Sequence, residues 1–407
     1  MNRARQMVSL ASGLLLLVLA APAPAQDWPQ WRGPNRDDKV SGFTPPKTWP
    51  QAFHQKWKVS VGQADATPAL AGGKLYVFSR QGENEVLQCL DAATGKEIWS
   101  DKYEAEAPDG PAGQHPGPRS SPAVAEGKVI TLGARGTLSC LDAAGGKLAW
   151  RKNDIPGWPN FFTAMSPLVF NGLCIAQLGS KTNGALVAYN LSTGVEKWKW
   201  NGDGPAYASP VLMSTGDTRF IVAQTDKRVV AVNLADGKLA WETPFAPEGR
   251  NYNAATPIVD GQTIIYTGAG RGAIAVRLEK QGETFTATQL WANTGMSPRF
   301  CSPVLKDGLL FGLSDKAGFY CINATTGQTA WSEPTARGGF GSILDAGSAL
   351  IALTPKSQLI VFQPSDKTYT ELASIKVADT PTYAQPVLAG DRLFIQDQDS
   401  VTLWMLD

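Results

Sequence analysis

The chain has 407 residues, with 37 Lys and Arg against 36 Asp and Glu, and a formal net charge of +1. This balance argues against a nucleic-acid-binding protein, which usually carries a basic surplus. Because His54 and His115 are the only histidines, a metal site built from several histidines is excluded, and little room remains for Ser-His-Asp chemistry. The 41 Gly, 28 Pro and 13 Trp predict many turns and a repeated aromatic element rather than long helices.

The first 25 residues are predicted to form a signal peptide. Arg3 and Arg5 precede an apolar run from about Met7 to Ala21, which is shorter than a comfortable membrane span. Ala23-Pro24-Ala25 fits the small-x-small cleavage rule, so Gln26 is the expected mature start. Removal of the two arginines would leave 35 basic and 36 acidic residues, a net charge of −1. We expect a periplasmic or secreted protein with no transmembrane segment in the mature chain and no Cys at the cleavage point for a lipid anchor.

Residues 26–52 are predicted to form an irregular lead segment that lies on the domain following it. The segment is rich in Pro and contains Trp28, Trp31 and Trp49.

The remainder, residues 53–407, is an array of repeats. A Ser/Thr-Pro element recurs at intervals of about 45 residues. Its prolines are Pro68, Pro122, Pro167, Pro210, Pro257 and Pro303, and Ser342 and Pro386 hold the same place in two weaker copies. A Gly-Lys-x-x-Trp element, strict or relaxed, recurs at the same interval.

Each copy is predicted to contain four short strands, in the second copy about 121–125, 128–133, 136–142 and 147–152. Four strands in about 45 residues is typical of a β-propeller blade. The last copy, Gln385 to Leu406, has only three strands, whereas the strand around Trp57 lacks the other three of its copy. We therefore predict an all-β, eight-bladed propeller of four-stranded blades, closed by the N-terminal strand joining the C-terminal blade.

The repeated Trp residues are predicted to be structural, because a large flat ring gains much burial at little rotamer cost. They are Trp57, Trp99, Trp150, Trp198, Trp241, Trp291 and Trp331, with Leu372 replacing Trp in the seventh copy. The five Cys are predicted to be buried thiols, since Cys89, Cys140 and Cys321 hold one position on three different blades, too far apart to bridge.

The residues from Cys89 through Leu-Asp-Ala-Ala-Thr-Gly-Lys-Glu-Ile to Trp99 closely resemble the tryptophan-docking motif of propellers that are named after pyrroloquinoline quinone (PQQ). Cys140 to Trp150 and Cys321 to Trp331 are near-matches. In that family the Trp stacks across the turn of a neighbouring blade, and the Asp and Gly shape the turn. The resemblance covers residues 54–407 and implies the same fold and a docking role for the repeated Trp residues.

The family divides by function. Its quinoprotein dehydrogenases oxidise alcohols or sugars with PQQ and Ca²⁺ or another metal, but this sequence has no Cys-Cys pair, no haem-binding Cys-x-x-Cys-His and no position that maps onto their catalytic Asp or metal ligands. Its BamB-type scaffolds are plain periplasmic propellers that help to assemble outer-membrane β-barrels. The length and plainness of this chain favour the BamB-type branch, although the lipid-anchoring Cys of that branch is lacking.

The predicted binding residues lie on one face. With strands named a to d in each blade, the d–a and b–c loops share a face and are longer and less uniform than the a–b and c–d turns. Arg suits carboxylate or phosphate contacts and aromatic rings suit planar ligands or partner anchors, so we predict a basic, aromatic-lined funnel. Its residues are Arg80, Arg119, Arg135, Trp158, Phe161, Phe162, Tyr207, Arg250, Tyr252, Arg271, Arg299, Arg337 and Tyr383.

No catalytic residue and no metal site is assigned. His115 has no carboxylate close to it in the sequence. Asp65, Asp379, Asp397 and Asp399 fall where the first and last blades adjoin, and they would either gather into a Ca²⁺ site or cap turns and pair with neighbouring Arg and Lys.

The sequence favours an exported protein-binding or scaffold module for an envelope protein or peptide, in envelope or outer-membrane protein assembly. The alternatives are a PQQ-dependent alcohol or sugar dehydrogenase, using PQQ with Ca²⁺, and a binder of another small anionic ligand or a saccharide. A monomer is compatible with the sequence, which leaves the oligomeric state and any enzymatic activity open.

Overall fold

The computed structural model of the chain describes residues 27–282, 284–314, 318–337 and 339–406; the predicted signal peptide, residues 1–25, lies outside the described residues. The described residues form eight antiparallel sheets of four strands each; neighbouring strands follow chain order in seven sheets, and in the eighth the first strand of the chain pairs with the last. The predicted all-β, eight-bladed propeller is confirmed. The short 3-10 helix η1 (Gly110–Gln114) lies in the loop between the first and second blades. No helix in the described part of the chain has the length and apolar character needed to cross a membrane.

The strands of the first four blades follow the repeats in order. Blade 1 comprises β2 (Ala69–Ala71), β3 (Lys74–Gln81), β4 (Asn84–Asp91) and β5 (Glu97–Glu104). Blade 2 comprises β6 (Ala123–Ala125), β7 (Lys128–Leu132), β8 (Leu138–Asp142) and β9 (Leu148–Lys152), within two residues of the predicted bounds. Blade 3 comprises β10 (Leu168–Phe170), β11 (Leu173–Gly179), β12 (Gly184–Asn190) and β13 (Glu196–Trp200). Blade 4 comprises β14 (Val211–Thr215), β15 (Thr218–Gln224), β16 (Arg228–Asn233) and β17 (Leu239–Pro244).

The remaining blades have the same order, and the ring closes between the two ends of the chain. Blade 5 comprises β18 (Ile258–Asp260), β19 (Thr263–Gly268), β20 (Gly272–Gln281) and β21 (Thr284–Asn293). Blade 6 comprises β22 (Val304–Lys306), β23 (Leu309–Leu313), β24 (Phe319–Asn323) and β25 (Thr329–Ser332). Blade 7 comprises β26 (Ser342–Asp345), β27 (Leu350–Leu353), β28 (Gln358–Phe362) and β29 (Glu371–Lys376). Blade 8 comprises β30 (Val387–Ala389), β31 (Arg392–Gln396), β32 (Ser400–Met405) and β1 (His54–Ser60).

The predicted closure is confirmed by the pairing of β1 with β32, which places Trp57 opposite Leu403. The N-terminal strand thereby becomes the outer strand of the C-terminal blade. This arrangement removes the exposed edge that an open ring would present at β32.

Every blade carries the same β-bulge between strands c and d. In blade 1, Cys89 pairs with Trp99 and Leu90 with Glu97, which leaves Ile98 without a partner, and the same shift recurs in the other seven blades. In blade 7, Val361 pairs with Ala373. The prediction that Leu372 replaces the Trp was therefore wrong: Leu372 is the extra residue of the bulge, and Ala373 stands at the Trp position.

The Trp side chains that follow the bulges cross from one blade to the next. Five of them donate an Nε1–H hydrogen bond to a backbone carbonyl of the next blade: Trp57 to Ala92, Trp150 to Leu191, Trp198 to Leu234, Trp291 to Ala324 and Trp331 to Ser365, at 2.7 to 3.3 Å. The Trp99 ring packs against Gly146 of blade 2, where φ is +72° and an added Cβ would lie 2.5 Å from the ring. Trp241 packs into the apolar cluster between blades 4 and 5.

The Ser/Thr-Pro elements form an inner belt around the axis. Along most of this belt, the N–H of the residue before the Pro donates to the side-chain hydroxyl of its equivalent in the adjacent blade. The chain of bonds runs from Gln385 to Thr67, Ser121, Ser166, Ser209, Thr256 and Ser302, at 2.9 to 3.4 Å. A hydroxyl is therefore needed before the Pro because it joins neighbouring inner strands.

Residues 27–40, named here the axial peg, enter the axis instead of lying across the ring. The Asp27 carboxylate accepts a hydrogen bond from the Gly72 N–H in the a–b turn of blade 1, so the peg enters at the face of the short turns. Trp28, Arg32, Arg36 and Asp38 are at most 4% exposed. The axis is thus filled by the chain itself.

Candidate binding face and the closed axis

The d–a and b–c loops lie at the end of the ring opposite the a–b turns and are named here the loop face. Its d–a loops are residues 61–68, 105–122, 153–167, 201–210, 245–257, 294–303, 333–341 and 377–386. All thirteen predicted binding residues lie in these loops or beside the b–c turns, but their side chains have different environments.

Four rings from separate loops form a continuous row, named here the aromatic arc: Phe300, Phe340, Tyr383 and His115. Phe300 and Phe340 stack with centroids 4.3 Å apart, and Phe340 meets Tyr383 edge-on at 5.5 Å. The His115 ring lies edge-on to Tyr383 at 4.8 Å. Phe340 and Tyr383 are 43% and 38% exposed, so the arc presents apolar rings to solvent.

A second cluster joins Phe161, Tyr207 and Tyr252. The Phe161 N–H donates to the Tyr207 hydroxyl at 2.9 Å, and the Tyr252 ring lies edge-on to both Phe161 and Tyr207. Burial raises the pKa of Tyr207 to about 12, so its hydroxyl stays protonated at neutral pH. These rings are half-buried and position the loops between blades 2 and 5.

Trp158 and Phe162 form a stacked pair with centroids 5.4 Å apart. The Arg135 guanidinium lies 4.6 Å from the Trp158 centroid and 3.2 Å from the Glu106 carboxylate. Phe162 is buried at 2% exposure, so its ring is part of the loop packing and is not available to a partner.

Most of the predicted arginines bind the protein itself. Arg119 donates to the carbonyls of Phe161 and His115. Three others use protein acceptors in the same way: Arg80 bonds the Ala105 carbonyl at 2.6 Å, Arg271 the Phe245 carbonyl at 2.6 Å, and Arg337 the Glu333 carboxylate at 3.0 Å. Burial lowers the pKa of Arg271 to about 10. These side chains therefore stabilise the conformations of the loops.

Arg250 and Arg299 differ from the others because both are exposed and make no hydrogen bond to the described residues. The Arg299 guanidinium lies 5.2 Å from the Phe300 centroid, at one end of the aromatic arc. The structure therefore does not gather the thirteen residues into one funnel. It leaves a sector with exposed rings and exposed positive charge, which runs from Arg299 to Tyr383.

His115 has a carboxylate partner that its sequence neighbourhood does not reveal. Its Nδ1 lies 3.1 Å from Oδ2 of Asp65, which is in the preceding d–a loop. The hydrogen bond to Asp65 raises the pKa of His115. Successive d–a loops adjoin in a propeller, and that adjacency is the signal that could have paired these two residues.

The four aspartates near the joint do not gather. Asp397 caps the turn before β32 and pairs with Lys58 at 3.3 Å, and Asp379 pairs with Lys376 at 3.1 Å. No group of three His, Cys, Asp or Glu side chains within the described ranges is placed to hold a metal ion. The five Cys are buried and unbridged.

These residues do not fit PQQ with Ca²⁺. The ion lacks a carboxylate ligand set within the described ranges. The axis is occupied by the peg, whose Arg32–Asp38 ion pair at 2.5 Å is buried. Most loop arginines that could meet the carboxylates of PQQ already bond protein acceptors.

The described features define an eight-bladed propeller of the PQQ-like repeat class, with a closed axis and an aromatic loop face. A family model described as outer membrane protein assembly factor BamB matches residues 82–333, and the chain belongs to that family.

Relatives from both branches of the class resemble the chain. Outer membrane protein assembly factor BamB of Burkholderia pseudomallei is 25% identical over 359 residues, which cover 85% of this chain and 86% of the relative. The crystal structure of BamB from Moraxella catarrhalis superposes with a TM-score of 0.64 at 15% identity, covering 87% of this chain and 98% of that one. The structure of quinohemoprotein alcohol dehydrogenase from Comamonas testosteroni superposes with a TM-score of 0.66 at 16% identity, covering 96% of this chain and 81% of that one. The two structural likenesses concern the fold alone.

Proposed function

We propose that this chain is an exported scaffold of the BamB kind, which binds an envelope protein through its loop face and takes part in outer-membrane protein assembly. The observation that carries the proposal is the aromatic arc, where Phe340 and Tyr383 remain exposed beside Arg299. Membership of the BamB family supports the assembly role, and the relative from Burkholderia pseudomallei carries that description in its name.

Because the axis is closed, we expect a partner to bind at the surface of the propeller. A channel or deep pocket would favour a small ligand, because such ligands are enclosed by concave sites. Here the peg fills the axis, and the rings of the arc lie on the rim of the loop face. Exposed aromatic and Arg side chains in one patch are typical of protein interfaces, where they supply most of the binding energy.

The chemistry of the arc fits an extended segment with apolar and acidic side chains. Phe300 and Phe340 offer one stacked platform, and Tyr383 offers a second ring that is edge-on to it. Arg299 at one end would pair with a carboxylate of the partner. Its charge would also speed association at low salt.

Deletion of the gene in the native host, followed by complementation, tests the assembly role. We expect the deletion to lower the amount of outer-membrane β-barrel protein in the envelope and the wild-type gene to restore it. A Phe340→Ala/Tyr383→Ala gene should fail to restore it, whereas a Val195→Ala gene, changed at a 60% exposed side chain before an outer strand, should succeed. Unchanged β-barrel levels in the deletion strain would overturn the proposal.

A further inference from the structure

We propose that the propeller axis is a peptide-binding socket that selects an arginine- and tryptophan-bearing segment, and that the chain's own residues 27–40 occupy it as a built-in ligand. The inference concerns the axis and is independent of what binds the loop face.

The peg contacts every blade. Trp28 pairs its backbone with Leu70 of blade 1, the Pro29 carbonyl accepts from the Val124 N–H of blade 2, and the Val40 N–H donates to the Asp345 carbonyl of blade 7, at 2.7 to 2.8 Å. Side chains reach the other five blades. Arg36 bonds blades 3 and 4, Trp31 bonds Thr256 of blade 5, Arg32 bonds blade 6, and the Asp38 carboxylate accepts from Gln385 of blade 8.

The inner prolines form a receptor for guanidinium groups. Arg36 Nη1 lies 2.9 Å from the Pro210 carbonyl and 3.2 Å from the Ser166 carbonyl, and its Nη2 bonds the Pro167 carbonyl. Arg32 Nη2 lies 2.6 Å from the Pro303 carbonyl. A carbonyl buried without a donor is costly, so these inward-facing groups require a polar ligand. Five donors in a planar fork make Arg suited to several carbonyls at once.

The socket also contacts the apolar side chain of the segment, Trp28. Trp28 is fully buried and belongs to the largest apolar cluster of the protein, together with Leu70 of blade 1 and Val387 of blade 8. The Trp28 ring covers Gly33, where φ is +79° and an added Cβ would lie 3.1 Å from the ring. The peg therefore folds back on itself in a turn that brings both arginines to the inner carbonyls.

The charged side chains of the peg bond buried groups of the protein. Arg32 and Asp38 neutralise each other at 2.5 Å. Arg36 donates to backbone carbonyls of blades 3 and 4 and, through Nε, to the Gln30 side-chain oxygen at 2.9 Å. Burial lowers the pKa of Arg36 to about 9, which leaves it charged at neutral pH. A site that satisfies a buried guanidinium in this way discriminates strongly against an apolar replacement.

The link between the peg and β1 allows the socket to be tested in the folded protein. Gly42, Lys47 and Thr48 are exposed, so a protease recognition sequence inserted after Lys47 can be cut once the ring has formed. The protein starting at Gln26 is used, and the probe is a synthetic, fluorescein-labelled peptide of residues 27–42.

We expect the cut segment to stay with the ring through size-exclusion chromatography. After exchange in mild denaturant, the labelled peptide should replace it, and a peptide with Arg36→Met should bind at least about tenfold more weakly because three carbonyls lose their donor. A peptide with Lys39→Met, changed at an exposed side chain, should bind like the wild type.

Two results would overturn the proposal. One is loss of the cut segment from the ring with no change in the thermal unfolding temperature of the ring, which would make the peg a passive filler. The other is equal binding of the Arg36→Met and wild-type peptides. If the propeller unfolds when the peg is exchanged, the Arg36→Met and Lys39→Met changes are made in the uncut protein, which is then cleaved after Lys47. The proposal requires that the cut segment is released from the Arg36→Met protein and retained by the Lys39→Met protein.

Discussion

Phe300 and Phe340 stack at 4.3 Å although they belong to loops that follow different blades. Each loop is anchored by the strands of its own blades, so the packing of the blades in the propeller brings the two side chains together. Phe340 nevertheless stays 43% exposed. An apolar surface that remains open to solvent is suited to binding a partner.

Removing the exposed aromatic side chains should weaken partner binding and change the stability of the fold little. We expect Phe340→Ala and Tyr383→Ala together to lower the free energy of unfolding by about 1 kcal/mol or less, because both side chains are well exposed and surface changes are usually small. Urea unfolding measures the change. A loss of about 3 kcal/mol or more would mean that the rings are structural and that the arc is not a binding surface.

Adjacent glycines in the turn of blade 2 provide a matched test of the contact between Trp99 and its neighbour. Gly146→Ala should lower the free energy of unfolding by about 2 kcal/mol or more, because φ is +72° and the new Cβ would meet the Trp99 ring at 2.5 Å. Gly145→Ala meets no atom within 4 Å and should change it by about 0.5 kcal/mol at most. Equal effects in thermal unfolding would contradict the packing described here.

The His115–Asp65 pair should make stability depend on pH in one direction. The pKa of His115 is raised in the folded protein by the hydrogen bond that its Nδ1–H donates to the Asp65 carboxylate. Its contribution to stability is therefore fully present below the unfolded pKa, about 6.5, and is lost as the pH rises through the folded pKa. Asp65→Asn should lower the pKa of His115 and reduce stability at pH 5.5 but not at pH 9.

NMR titration of the His115 Cε1 proton measures that shift. Only one other histidine, His54 on β1, is present in the chain, so the His115 resonance can be assigned directly. An unchanged His115 titration in the Asp65→Asn protein would show that the ion pair does not form in solution.

Breaking the buried ion pair of the peg should strongly lower the stability of the protein. Asp38→Ala leaves the Arg32 guanidinium buried without its carboxylate, and we expect a loss of about 3–5 kcal/mol in the free energy of unfolding. Asp37→Ala, at the neighbouring and half-exposed position, is the control and should cost about 0.5 kcal/mol or less. Chemical denaturation compares the two variants, and similar losses would contradict the contacts of the peg.

The repeat made the fold predictable from the sequence. The phase of the Ser/Thr-Pro and Trp elements predicts blade number, strand order and closure by β1, since each element recurs once per blade. One position failed because blade 7 lacks the Gly-Lys-x-x-Trp element and has a longer connection between strands c and d. Twelve residues separate Val361 from its partner Ala373, against ten from Cys89 to Trp99, so counting from the sequence assigned Leu372 to the Trp position.

The roles of individual arginines could not be read in the same way. Arg271 and Arg299 both lie near loops, yet Arg271 bonds the Phe245 carbonyl and Arg299 faces solvent. The difference depends on where backbone carbonyls of other loops point, which no local pattern encodes. The insertion of the peg was hidden for the same reason, because the acceptors of Arg36 are inward-facing carbonyls of blades 3 and 4.

The most direct test of the central claim places a photo-reactive amino acid at position 340 of the protein in its native envelope. The account predicts a covalent product with a component of the outer-membrane assembly machinery after illumination. The same amino acid at position 195, at an exposed site before an outer strand, should give no such product. Absence of the product at 340, or equal yields at 340 and 195, would contradict the claim that the loop face binds an envelope protein.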